Sequence, residues 1–457
     1  MSVLSIADGL RHELGSELVL RDVPRHYLVD ATEARGVRGS ADAVALPRTT
    51  QEVADVMRWC CVHDVPVVPR GGGTGFSGGC VPQGGVVISL ERMNRIRAVE
   101  PLLWRMSTEA GVTTASVRDA ARSNGLVFPP DPGAAEQSQI GGNVATNAGG
   151  PHAFKYGVTA NWVTGMEVVV PPGEIVTFGG EVRKDVAGYD FVRLLAGSEG
   201  TLGVITSVSL RLMPAPEAAW PVVALYPDIA AGCAAVDRVL GYGLQPAALE
   251  FLDPEAFALA RSGFPVEGTL GAAFVVIAEA DGTESAAAAL QTELRECLAE
   301  DASTVYAPRT AASVEQLWRW RDGVSLAVQA ARGGKVSEDV AVPLERLAEM
   351  MVAVDAIGHE HGLKACSWGH AGDGNIHATF LVAPENSQEV AAGERAAGQL
   401  FRTAVALGGT ISGEHGLGLV KEPYLPLQLT PRAHELHWAV KRVFDPSGIL
   451  NPGKKIA

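Results

Sequence analysis

Cysteine and aromatic residues are scarce in this chain, and positive charge is outweighed by negative. Six cysteines (Cys60, Cys61, Cys80, Cys233, Cys297 and Cys366) are spread over 457 residues without one C-x-x-C pair. That spacing encodes neither an iron–sulfur cluster nor a zinc knuckle, and predicts reduced thiols in a cytoplasmic setting. Lys and Arg number 37 against 52 Asp and Glu, a formal charge of -15. A field of that sign argues against nucleic acid or an anionic membrane surface as the main partner. An anionic substrate would need a local basic pocket. No apolar run reaches roughly 18 residues, so no helical membrane span is expected. Met1 to Gly15 carries Asp8, Arg11 and Glu13 in place of a signal-type apolar core. Hydrophobic content of 47% with 19% charged residues describes an ordinary soluble α/β chain. Its length predicts two or three domains.

Glycine, by contrast, is abundant, at 52 residues. A strand expected at Val65 to Val68 empties into Pro69-Arg70-Gly71-Gly72-Gly73-Thr74-Gly75-Phe76-Ser77-Gly78-Gly79. The G-x-G-x-x-G pattern at Gly73, Gly75 and Gly78 follows a strand but runs into Pro82, Gly84-Gly85 and a second strand, Val86 to Leu90. A nicotinamide-binding Rossmann unit would need a helix there, so that reading fails. Side-chain-free backbone can still press its N–H groups against a diphosphate. A second cluster runs from Pro129 through Pro132 and Ser138-Gln139-Ile140-Gly141-Gly142-Asn143 to Gly150, with Lys155-Tyr156-Gly157 beyond. A third, Tyr189 to Ile205, reads as a short helix, a tight turn and a strand. Three small-residue loops in one half of the chain imply one extended ligand with a neutral ring system and a sugar-phosphate tail.

Around these loops, Leu10, Leu14 and Leu18 suggest a helical lead-in up to about Gly39. Ala45 to Pro47 reads as a strand, and a helix starts at Thr50-Gln51-Glu52 and runs to His63. Composition shifts after Pro214-Ala215-Pro216. Strands such as Pro221 to Leu225 and Ala273 to Ala278 then alternate with Ala-rich helices such as Ala286 to Leu298, which marks a domain boundary.

The chemistry concentrates in His370-Ala371-Gly372-Asp373-Gly374-Asn375-Ile376-His377. Asp-Gly favours a tight reversal, and the flanks Leu363 to Trp368 and Ile376 to Val382 are apolar enough for strands. Such a hairpin brings two imidazoles to one end of a sheet. Two satisfied, partly buried histidines would fit the same pattern. Ser412-Gly413-Glu414-His415-Gly416 adds a third ligand and a base. Two imidazoles and one carboxylate suit a divalent transition ion and leave positions open for substrate. Asp373 reads as a turn residue, and Asn375 as either a turn residue or a group that orients substrate.

The stretches PRGGGTGFSGG, SQIGGNVATNAGG and LLAGSEGTLGVIT resemble the flavin domain of the vanillyl-alcohol oxidase superfamily. HAGDGNIH, ISGEHGLG and FDPSGILNPGK resemble its D-2-hydroxyacid dehydrogenase branch, which holds D-lactate dehydrogenases, the glycolate oxidase flavin subunit and D-2-hydroxyglutarate dehydrogenase. The resemblance runs in matching order from about residue 40 to the end. It implies an α+β fold: a two-subdomain PCMH-type FAD-binding domain (40–216) after the lead-in (1–39), then an antiparallel-sheet-plus-helices substrate or cap domain (217–425). A last segment (426–457) would pack back on the FAD domain.

By that resemblance FAD is held by Pro69, Arg70, Gly71, Gly72, Gly73, Thr74 and Gly75, by Pro132, Ser138, Gly141, Gly142, Asn143, Thr146, Gly149 and Gly157, and by Glu199, Gly200, Ile205 and Asn451. Relatives with a covalent flavin carry His where this chain resembles them with Thr74, so non-covalent FAD is implied. His152 departs from the polar residue that relatives often have. His370, His377 and Glu414 take the metal-ligand positions, for zinc or else manganese or iron. His415 takes the place of the base, Asn375 that of an orienting residue, and Arg321 and Lys335 those of the substrate-carboxylate anchors, with Arg319 a neighbour competing for that role. The implied activity is oxidation of a D-2-hydroxyacid, D-lactate or glycolate before D-2-hydroxyglutarate. The electron acceptor is left open among quinone, cytochrome and electron-transfer flavoprotein, and a homodimer is compatible. Two rivals stand beside this: a non-redox flavoenzyme like the ether-lipid synthase of the same superfamily, and a flavin subunit that works only with an iron–sulfur partner.

Overall fold

Side-chain caps start most of the longer helices. The hydroxyl of Thr49 accepts the N–H of Glu52 at 3.1 Å and opens the helix Thr50–His63, as Ser5 does for Ile6–Leu14. The structure is a computed structural model and describes residues 5–266 and 273–456; the first four residues of the expected lead-in lie outside that range. The lead-in is less helical than its leucine spacing suggests. Gly15, at φ 99°, ends the first helix before Leu18, and only short 3-10 turns follow, at Arg25–Tyr27 and Ala31–Arg35.

Two units make up the chain. One comprises the chain up to Gly149, Gly157–Ala215 and everything from Glu414; the other comprises Gly150–Tyr156 and Pro216–Gly413. The return at Glu414 comes earlier than the expected residue 426, and a seven-residue piece expected in the FAD domain belongs with the second unit.

In the first unit, β1 (Ala43–Ala45), β2 (Val67–Arg70) and β3 (Val86–Ser89) form a parallel sheet of order β1-β3-β2. The strand expected at Ala45 to Pro47 thus sits earlier in the chain, and that expected at Val65 to Val68 sits later. β4 (Ile96–Glu100), β5 (Arg105–Glu109), β7 (Val163–Val170), β8 (Glu174–Gly179) and β9 (Val204–Arg211) form an antiparallel sheet of order β4-β5-β9-β7-β8. β6 (Leu126–Val127) and β10 (Met213–Pro214) pair separately. The second glycine cluster is not loop throughout, because Ile140–Thr146 is helical. Small residues are needed inside that helix: a Cβ on Gly141 would lie 2.6 Å from Ala110 Cβ.

The second unit is one antiparallel sheet built from β11 (Ala218–Tyr226), β12 (Ala248–Leu252), β13 (Phe274–Gly282), β14 (Thr304–Tyr306), β15 (Gly334–Ala341), β16 (Ala365–His370) and β17 (Asn375–Val382). Its order is β14-β11-β13-β12-β16-β17-β15. Val223, Ile277, Leu252, Trp368 and Leu381 on one face pack with the helices Pro254–Ala260, Ala311–Asp322 and Val324–Arg332 in a buried apolar cluster. Cross-strand partners share a face. The pairs Glu250↔His370, Trp368↔His377 and Asp339↔His377 therefore put a row of polar side chains on that same face. The sheet is apolar at one end of this face and charged at the other.

Candidate active site

The loop after β2 forms a cavity wall in the first unit. About 840 Å3 of non-atom space, open solvent at its mouth included, is lined by Pro69, Arg70, Gly71, Gly72, Gly73, Thr74 and Gly75. Ser138, Gly141, Gly142, Asn143, Thr146, Glu199, Gly200 and Ile205 line it as well. Glycine is required where chain meets chain: a Cβ on Gly72 would lie 2.0 Å from Gln137 O, and one on Gly200 would lie 3.1 Å from Pro69 Cγ at a φ of 70°. The N–H groups of Gly72, Gly73 and Thr74 make no hydrogen bond among the described residues, and the buried Gln139 Oε1 in the wall has no partner there either. Unused donors along side-chain-free backbone fit a diphosphate.

Four residues expected at the nucleotide lie outside this lining. Gly157 is explained by its own backbone, at φ 77° with Asn161 pressed against it. Asn451 instead donates to Gly79 O at 2.9 Å and Glu199 O at 2.6 Å, so it ties the C-terminal segment to the cavity wall. Nothing in the structure explains a ligand role for Pro132 or Gly149. The wall also includes Asp30 and Cys80, which the sequence did not mark. Asp30 gives no local signal, since its carboxylate reaches the loop only through space, accepting Gly78 N at 2.9 Å.

The segment from His415 to Leu419 is bolted to this wall. Leu417 N and Gly418 N donate to the Glu199 carboxylate at 2.9 and 2.8 Å. Ser77 O accepts Leu419 N at 2.8 Å, and Ser77 Oγ donates to His415 O at 3.0 Å. The His415 ring stacks on Phe76 with centroids 4.8 Å apart. The loop that carries His415 is thereby fixed by the glycine loop itself.

On the second unit's sheet the expected hairpin forms. Strands β16 and β17 are joined by the 3-10 turn Ala371–Asp373, with Gly374 at φ 67°. His370 and His377 are buried with ring centroids 5.3 Å apart. One ligand atom from each, and one from Glu414 just beyond Gly413, lie within 4.8 Å of one another. Two imidazole nitrogens and a carboxylate oxygen make a fitting donor set for a divalent transition ion. Asn375 sits at the turn end of β17, its Nδ2 donating to Val340 O at 3.1 Å.

The expected anchors are placed differently from each other. Two nitrogens of Arg321, Nε and Nη2, bond Glu250 Oε2 at 3.1 and 2.5 Å, and the residue is 7% exposed. The fork that would clasp a substrate carboxylate is engaged by a buried internal one. Arg319 lies on the exposed side, paired with Glu315. Lys335 Nζ stands 5.4 Å from the Trp368 ring centroid and donates to Ser325 O and Oγ. Burial pushes its ammonium down to about 8. His152 bonds Glu279 Oε1 at 2.8 Å, and Trp318 Nε1 donates to Glu279 Oε2 at 2.6 Å, while Lys155 and Tyr156 both bond Asp281. These contacts explain why Gly150–Tyr156 belongs to the second unit.

A family model described as "FAD linked oxidases, C-terminal domain" matches residues 215–455, and one described as "FAD binding domain" matches residues 41–179. The glycolate oxidase subunit GlcD of Bacillus subtilis is 37% identical over 94% of this chain and 92% of its own length. The D-lactate dehydrogenase of Anaerostipes hadrus is 36% identical over 89% and 87%, and the D-2-hydroxyglutarate dehydrogenase of Xanthomonas citri is 35% identical over 90% and 88%. The solved structure of p-cresol methylhydroxylase with substrate bound aligns with a TM-score of 0.78 at 18% identity, covering 97% of this chain and 95% of that one. Alkyldihydroxyacetonephosphate synthase aligns at 0.76 and 18%, covering 97% and 84%. The fold is that of the PCMH-type flavoproteins, and the chain is an enzyme of the FAD-linked oxidase family.

Proposed function

We propose that the chain oxidises a small D-2-hydroxyacid, D-lactate or glycolate in preference to D-2-hydroxyglutarate, to the 2-oxoacid. The convergence of His370, His377 and Glu414 beside His415 carries this reading. The names of three relatives support it, since glycolate, D-lactate and D-2-hydroxyglutarate are all 2-hydroxyacids. When bound, FAD supplies the hydride acceptor and a divalent ion supplies Lewis acidity toward the substrate hydroxyl.

The chain's own side chains do the rest. His415 removes the hydroxyl proton, a role suited to imidazole near neutral pH, and its stacking on Phe76 sets the direction of approach. Lys335 supplies positive charge for the substrate carboxylate. Asn375 orients substrate at the turn. Pro69 to Gly75, Gly141 to Thr146 and Gly200 to Ile205 hold FAD without a covalent bond, Thr74 standing in the wall.

Among the described residues no helix is long and apolar enough to cross a membrane. Six free cysteines support a reducing, cytoplasmic setting. A second reading, a flavin subunit that passes electrons to an iron–sulfur partner, is favoured by the word "subunit" in the name of the Bacillus relative.

The test is anaerobic bleaching of the flavin by D-lactate, L-lactate, glycolate and D-2-hydroxyglutarate, with metal content measured in parallel. Bleaching by a D-hydroxyacid that chelation abolishes is the expected result. A reducible flavin that no hydroxyacid bleaches, in protein free of metal, overturns the reading. Bleaching by substrate without turnover on any dye acceptor points to the partner-dependent form.

A further inference from the structure

Glu250 is fully buried in the middle of the second unit's sheet, with 0% exposure. It stands opposite His370 in the ladder, its Oε1 2.6 Å from His370 Nδ1, while its Oε2 takes Nε and Nη2 of Arg321 at 3.1 and 2.5 Å. A buried ion pair is a poor device for stability, because desolvation offsets most of its attraction and well-packed apolar side chains often do as well. Its use must be sought in what it orders.

A carboxylate bonded by an arginine fork acts as an acceptor, so the imidazole nitrogen 2.6 Å from it is the donor. The lone pair of His370 is then on Nε2. Arg321 fixes the acceptor in turn: its planar fork leaves the Glu250 side chain one orientation. Asp339, also at 0% exposure, is the register partner of His377, and its Oδ1 accepts Ser412 Oγ at 3.2 Å.

We infer that Glu250, clamped by Arg321, is a positioning residue that keeps the His370 proton on Nδ1 and presents Nε2 as a ligand to a divalent ion. The inference rests on the metal reading above. It also places Arg321 in the metal's surroundings. Outer partners of ligand histidines are typically worth about 10–100-fold in metal affinity, and that is the loss expected here.

The experiment uses the full-length FAD-loaded protein, stripped by chelator and titrated with Zn2+ against a chromophoric chelator. The parent should bind one equivalent, and Glu250→Gln should bind it about 10–100-fold more weakly with an unchanged flavin spectrum. Because Glu250→Gln leaves Arg321 as an uncompensated buried charge, the double variant Glu250→Gln/Arg321→Met is measured beside it. It restores charge balance and should show the same loss of affinity. The Co2+-loaded proteins give a second readout, since altered ligand geometry shifts the visible bands of cobalt. Parental affinity and an unshifted cobalt spectrum in the double variant overturn the inference while leaving the metal reading intact. A parent that binds no ion overturns both.

Discussion

Glu199 accepts the backbone N–H of Gly418 at 2.8 Å from a position more than two hundred residues earlier in the chain. The same carboxylate takes Leu417 N and, at 3.2 Å, Lys455 Nζ. Glu199 reaches them from a left-handed backbone at φ 54°, a conformation few non-glycine residues adopt. It holds the loop of His415 against the cavity wall.

Glu199→Ala leaves two N–H donors unsatisfied. A loss of about 1–3 kcal/mol is expected, read by thermal unfolding of the FAD-loaded protein, together with slower flavin reduction. Unchanged stability and turnover would show that the loop is held by Ser77 alone.

His415→Ala should slow flavin reduction by D-hydroxyacid about 10²–10⁴-fold, the usual contribution of a general base. FAD content and metal content should hold. Stopped-flow bleaching under anaerobic conditions measures it, and parental rates in the variant would move the role of base elsewhere.

Lys335 gives a pH dependence. Its ammonium, pushed down to about 8 by burial, loses its charge as pH rises through that value. The KM for an anionic substrate should therefore rise above about pH 8, and Lys335→Met should raise KM at neutral pH and flatten that rise. The sign for stability is opposite. Between about 8 and the unfolded value of 10.5 the unfolded chain alone holds this proton, so stability contributed by this group increases with pH.

Asp253 works the other way. It caps Pro254–Ala260, accepting Ala256 N at 2.7 Å, and burial raises its carboxyl to about 7. From about pH 4 to 7 the folded state keeps a proton that the unfolded state has lost, so stability falls as pH rises. Unfolding free energies of the parent should decline relative to Asp253→Asn across that window. Parallel curves would contradict it.

Gly413 has no room for a side chain: a Cβ would lie 2.0 Å from Asn375 Nδ2 and 3.2 Å from Asp339 Oδ2. Gly413→Ala should cost about 1–3 kcal/mol through overpacking and lower turnover. Gly180→Ala, with nothing within 4 Å, is the control and should leave both unchanged.

The local features of this chain were legible from its residues. Asp373-Gly374 between two apolar runs specifies a hairpin, Thr49 and Glu52 specify a helix start, and glycine runs with few side chains specify backbone close to a ligand, because turn torsions, caps and missing Cβ atoms act within a few residues. The motif order also carried the family. What only the tertiary structure decided was which distant groups meet. Arg321 reads as an anchor for substrate, and β12 adds what its sequence neighbours do not show, Glu250 bonded to its guanidinium. Asp30 and Asn451 reach the cavity wall from opposite ends of the chain. Register between β12, β16, β17 and β15 pairs each histidine with a carboxylate. Such pairings depend on strand order and on burial that raises the cost of an unpartnered charge, and neither quantity is written in the spacing of residues along a sequence.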